Sequence, residues 1–180
     1  GARIKRTEDP RLLSGTGAFA DDRQTPRVLH VAFRRSEHSH AHIKAIDCGA
    51  ARKADGVVAV FTAEDLAATV APLLATSRMK GYHATPILPL ARGKVRYVGE
   101  PVVGIVAQSR YLAEDALEMV GIEFEPLPVV IDPLEAVKED APRLHEEAGG
   151  NIIVSREFKR GDVEVALAGA AVRVKGRFRM

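Results

Sequence analysis

The run from Val102 to Ala107, VVGIVA, constrains the fold more than any other stretch of the chain. It is unbroken, apolar and rich in β-branched residues, which suits a strand buried on both faces. Ahead of it, Val95, Tyr97 and Val98 predict a shorter strand, interrupted by Gly99-Glu100-Pro101. Proline at 101 cannot donate a ladder hydrogen bond, so this point is a bulge, a bend or a strand start. Ser109 then reads as an N-cap for a helix over 110–120, whose residues Leu112, Ala113, Ala116, Leu117 and Val120 recur on one side. Gly121 is the expected helix stop. Ile122 and Phe124 alternate with Glu123 and Glu125, the pattern of a half-buried strand closed by Pro126 and Pro128. Val129 to Ile131 adds a short apolar segment. The unit is strand, helix, strand, and parallel flanking strands would require a right-handed crossover.

Around this unit the chain has the size of one domain, or of one domain with a short extension, at 180 residues. With 46% hydrophobic and 28% charged residues it has the composition of an ordinary globular protein. The net charge is +2, and basic residues are interspersed with acidic ones, so no nucleic-acid partner is implied. The single cysteine, Cys48, excludes an internal disulfide and accords with a reducing, cytoplasmic setting. No run of about 18 apolar residues is present, so no membrane span is expected. The chain has no apolar signal region near residue 1 and starts with Gly, so it reads as trimmed or as carrying a cloning remnant.

Residues 1–26 are polar and turn-rich and read as an extended arm; Gly15 and Gly17 lack the strand, third glycine and helix of a dinucleotide site. Strands are expected over 28–35 and 41–48, as partners of each other, and over 57–61. Asp47 is the expected cap for a short helix over 49–54 that Gly56 ends, and Thr62 with Asp65 forms a capping box for a helix over 63–68. His38, His40 and His42 would line one face if extended, and zinc would need a fourth ligand such as Asp47 or Cys48. No accepted ligand spacing supports that, so these residues are weak metal candidates and are read first as polar loop histidines. Residues 69–93 lose periodicity and read as a surface loop, with Met79, Tyr82 and His83 as possible contributors to a substrate entrance. Asp132-Pro133 starts a helix over 134–138. His145 beside Glu146 and Glu147 is given a structural role. Strands are expected over 152–158 and 171–180, with a helix over 163–168 capped by Asp162 between them. The last strand has no partner in the sequence, which marks a sheet cut short.

Several blocks resemble one family, in order along the chain. Within Arg6–Asp22 the matching positions are Glu8, Asp9, Arg11, Leu12, Gly15, Gly17, Asp21 and Asp22. RRSEHSHAH at 34–42 keeps Arg35, Ser36, His38 and His40, with Glu37 where proline is common. GVVAVFTAEDL at 56–66, YVGEPVVGIVA at 97–107, IEFEPLPVVIDP at 122–133 and APRLHEEAGGN at 141–151 continue the match. The pattern resembles the xanthine dehydrogenase and aldehyde oxidase family, and within it the molybdopterin-binding large subunit of bacterial members, carbon monoxide dehydrogenases included.

That resemblance implies an α+β fold, an a/b hammerhead with a mixed sheet and packed helices. The implied organisation is an arm over 1–26, a hammerhead domain over 27–140, and a linker with the truncated opening of the molybdopterin-binding domain over 141–180. The implied parent oxidises an aldehyde, an N-heterocycle or carbon monoxide with water at a molybdenum–pterin centre. It passes electrons to iron–sulfur and FAD subunits or domains in an oligomeric holoenzyme. No catalytic residue is carried over and no cofactor is expected on this segment. Gly99 and Glu100 are weak candidates for cofactor or partner contact. The alternative from another class is a free-standing binding or assembly module with the same fold and no catalysis.

Overall fold

The computed structural model describes residues 1–23 and 25–178. The chain forms two compact units, Gly1–Pro72 with Leu88–Val129, and Leu73–Ile87 with Val130–Met180.

In the first unit, a short helix α1 (Asp9–Leu13) and a 3-10 turn at Ala20–Asp22 lie within the N-terminal arm. Strands β1 (His30–Arg35), β2 (Ala41–Asp47) and β3 (Val57–Phe61) follow, then helix α2 (Ala63–Leu66). Numbering in chain order puts β4 (Leu73–Leu74) and β5 (Pro86–Ile87) in the second unit. The first unit resumes with β6 (Lys94–Val95), β7 (Pro101–Ala107), α3 (Arg110–Glu118) and β8 (Gly121–Pro126). The strands build two three-stranded sheets, ordered β1-β7-β3 and β6-β2-β8, with antiparallel pairings throughout. The α+β hammerhead class holds, with the strands shared among small sheets.

Val102–Ala107 is the middle strand of its sheet, and Val102, Val103 and Ile105 are fully buried. The core gathers these residues with Val60, Ala41, Val95 and Ala116, and packs Ile43, Ile46, Leu117, Ile122 and Phe124 against them. It therefore lies where the inner faces of both sheets meet α3. Ser109 caps α3, its hydroxyl accepting from the Leu112 N–H at 3.2 Å. Gly56 turns the chain into β3 at φ 74°, a left-handed conformation that favours glycine. A Cβ there would sit 2.5 Å from a methyl of Leu112.

Several expectations are corrected. β7 and β8 flank α3 but belong to different sheets, so the crossover condition never arises. β1 does not pair with β2; it pairs with β7, 66 or more residues on, whereas β2 lies between β6 and β8. Alternation within each strand defines its faces but leaves its partner open. α3 stops at Glu118, and Gly121 opens β8. Tyr97 and Val98 lie in a turn, because the strand before it ends at Val95.

In the second unit, β4 and β5 pair as a small hairpin inside the expected loop. Asp132 caps α4 (Pro133–Ala136), accepting from the Leu134 N–H at 2.8 Å, and Asp162 caps α5 (Val163–Ala168). Residues 152–158 and 171–178 form no strand: they are extended or irregular, and 154–178 has mostly exposed side chains. Alternation without a neighbouring strand to pair with does not make a sheet. Arg179 and Met180, the end of the last expected strand, lie outside the described residues.

Candidate functional site

The block Arg35–His42 and the turn Arg96–Glu100 meet at one end of the first unit. Ser36 N–H donates to the Glu100 carbonyl at 2.9 Å, and Gly99 N–H donates to the Ser36 carbonyl at 2.8 Å. The Arg35 guanidinium donates to the Gly99 carbonyl at 2.9 Å and rests 5.7 Å from the Phe33 ring. Glu100 turns its carboxylate back to accept from the Arg96 N–H. Gly99 has φ 89°, so the turn requires a residue without a β-carbon. Ser36 is buried, and its hydroxyl both donates to the His38 carbonyl at 2.8 Å and accepts from the His38 N–H at 3.0 Å. These bonds fix a rigid turn that projects Tyr97 and Val98, 56% and 64% exposed, away from the unit.

The three histidines take three different environments. His38 lies half-buried against Phe124, ring centroids 4.9 Å apart. His40 is buried, with Nδ1 2.7 Å from the Pro128 carbonyl; its Nε2 meets no hydrogen-bond partner among the described residues. His42 is exposed on β2. The bends at 37–40 break the period of two, so the three rings do not share a face. Among the described residues, no group of three or more His, Cys, Asp or Glu is placed to hold a metal. The structure therefore joins Gly99 and Glu100 to Arg35 and Ser36. Arg35 sits 64 residues from the Gly99 carbonyl it holds, a separation with no local signal in sequence.

Cys48 is buried, and that burial pushes its thiol up, against the lowering effect of Arg52 nearby. Elsewhere in this unit, a cavity of about 150 Å³ is walled by Ala63, Leu66, Val70, Leu88 and Leu90, with Arg92 beside them. In the second unit, Asn151 Nδ2 donates to the carbonyls of Ala136 and Pro142 at 3.1 and 2.9 Å, and its Oδ1 accepts from Leu144 N–H at 3.1 Å. One amide thus clasps the whole 136–151 loop. His145 in that loop faces Glu147 at 3.4 Å. Tyr82 N–H donates to the Met79 carbonyl, and His83 N–H to the Ile153 carbonyl at 2.9 Å.

Comparison with known proteins gives a consistent result. Residues 14–128 match the family model for the aldehyde oxidase and xanthine dehydrogenase a/b hammerhead domain. The large subunit of nicotine 6-hydroxylase from Paenarthrobacter nicotinovorans is 41% identical over 170 residues, 94% of this chain and 21% of that protein. The large chain of carbon monoxide dehydrogenase from Afipia carboxidovorans is 41% identical over 153 residues, 82% of this chain and 18% of that one. The crystal structure of quinoline 2-oxidoreductase from Pseudomonas putida 86 superposes with a TM-score of 0.88 at 35% identity, covering 97% of this chain and 22% of its own. The chain thus spans about a fifth of the length of the curated relatives it matches.

Proposed function

Since the chain belongs to the aldehyde oxidase and xanthine dehydrogenase family through its a/b hammerhead domain, we propose that it is the N-terminal part of the large subunit of a molybdenum hydroxylase-type oxidoreductase. The observation that carries this reading is alignment of 94% of the chain, at 41% identity, with a large subunit of which it covers 21%. The parent oxidises an aldehyde, an N-heterocycle or carbon monoxide with water, and these residues act as its scaffold and subunit-packing domain. Iron–sulfur and FAD subunits or domains are its partners in the complex.

The group such a parent uses is a molybdenum–pterin, which supplies the oxidation chemistry when bound. The residues present here do not fit it. The first unit's 150 Å³ cavity is too small and too aliphatic for a pterin with its phosphate. The larger openings, one lined by Lys44, Arg52 and Glu64 in the first unit and one by Lys138, Arg143 and Asn151 in the second, are open surface clefts that would leave such a group largely in solvent. The rigid turn at 96–100 uses its polar groups internally: the Glu100 carboxylate accepts from Arg96 N–H and the Gly99 carbonyl from Arg35. Its role is to present Tyr97 and Val98 to a neighbour in the assembly.

The test is to express the full-length gene product and this 180-residue chain side by side, and to assay bound molybdenum and pterin on both. Cofactor on the longer product alone is the expected result. A gene that encodes these residues and no more, or cofactor bound by the short chain itself, overturns the reading.

A further inference from the structure

The middle strand β7 is apolar on both faces, yet α3 covers one of them. Register assigns the faces. Ile105 lies opposite Ala32 and Val60, and this face meets the core. Gly104 lies opposite Phe33 on one side and Phe61 on the other, and Val106 lies opposite Val31 and Ala59. A Cβ on Gly104 would touch the Phe33 ring at 3.4 Å, which puts ring and glycine on the same side. On this outer face Val31 is 54%, Phe33 42% and Phe61 38% exposed.

An antiparallel sheet with one solvated face normally alternates apolar and polar residues. This one does not: in the two rows Val31–Val106–Ala59 and Phe33–Gly104–Phe61 every residue is apolar or glycine. Two phenylalanines flank the glycine, and the ring of Phe33 lies against it. Contiguous apolar surface of this kind marks a packing site. At its corner, Arg35 lies over Phe33 and holds the Gly99 carbonyl, so both of those partners are uncharged. An occupant that brings a carboxylate to this corner would complete a charge-assisted pair.

We propose that this outer face of the β1-β7-β3 sheet is the seat of the remaining polypeptide of the same large subunit. The occupant lays an apolar surface across Phe33, Gly104 and Phe61 and sets an acidic side chain at Arg35. The inference rests on the functional reading above. It names this occupant because the relatives carry about four fifths of their length outside the matched region, and because, with β7 itself buried or half-buried, the flanking strands still expose Val31 and Phe33 on one side and Phe61 on the other.

The experiment introduces Phe33→Lys with Phe61→Lys into both the 180-residue chain and the full-length large subunit. Tyr111→Lys serves as the control, since Tyr111 is 78% exposed on α3. In the short chain the double variant shifts Tm by no more than about 4 °C. In the full-length subunit it lowers soluble yield about fivefold or more, while the control changes neither. Equal losses in both chains, or none in the full-length subunit, overturn the proposal. So does a short chain that dimerises through this face in sedimentation equilibrium, with dimerisation abolished by the double variant, because the occupant is then a second copy. Molybdenum content of the unsubstituted full-length subunit separates the two failures. If it binds the cofactor but tolerates the lysines, this inference fails and the functional reading stands.

Discussion

Thr62 and Asp65 exchange hydrogen bonds at the start of α2. The Thr62 N–H and hydroxyl donate to one Asp65 carboxylate oxygen at 2.8 and 2.9 Å, and the Asp65 N–H donates back to the hydroxyl at 3.4 Å. The backbone bond, then the hydroxyl, hold the Asp65 carboxyl below the usual carboxylate range, with a smaller contribution from Arg52. A carboxyl depressed in the folded state contributes stability above its unfolded value, near pH 3.9, and loses it as pH falls through the lower folded value. Asp65→Asn should therefore flatten the acid limb of the stability profile below about pH 4 while leaving the shape above it unchanged. Thermal melts across pH 2–7 read this, and an unchanged acid limb would sink the assignment. Such residues were legible in sequence because capping spans three residues: Ser109, Asp132 and Asp162 are caps for the same reason. Arg35 and Asn151 were not, since each reaches groups that only folding brings near. The histidines failed in the other direction, because bends removed the periodicity on which a shared face depends.

Among the elements, β7 was the clearest in sequence and is the most central in structure. Its unbroken apolar run could belong to one strand position only, the middle of a sheet. Ile105 is fully buried there, and Ala116 of α3 belongs to the same cluster. Ile105→Ala should cost about 3 kcal/mol, from lost transfer and from the cavity left behind. Urea unfolding should show a lower midpoint at an unchanged slope. A loss under about 1 kcal/mol would mean that the site collapses around the gap, contrary to a tightly packed core. Pairing was where sequence reasoning stopped. β1 and β2 are neighbours in the chain and read as a hairpin, but β2 is occupied by β6 and β8 on its two sides. Residues 152–158 and 171–178 alternate well enough for strands and pair with nothing among the described residues. Periodicity reports which sides of a segment differ, whereas a sheet also needs an edge to join.

At the scale of the whole molecule, family and fold class could be read from ordered blocks of residues, and the hammerhead match over residues 14–128 agrees with them. The division into two units could not, because the first unit is interrupted: its chain leaves after Pro72 and returns at Leu88. Pro72 and Leu88 both line the same cavity of about 150 Å³, so departure and return points are neighbours. A segment that starts and finishes at one spot can be exchanged in a gene without moving anything in the frame it leaves. Replacing residues 73–87 with about four Gly/Ser residues, a length that closes at small entropic difference, should keep the first unit's amide-exchange protection in β7 and α3. Loss of that protection would show that the excursion supports the frame. If the protection survives, the 73–87 segment is a cassette: a stretch where insertion and deletion are tolerated, and where natural variation in length can accumulate while the core around it stays fixed.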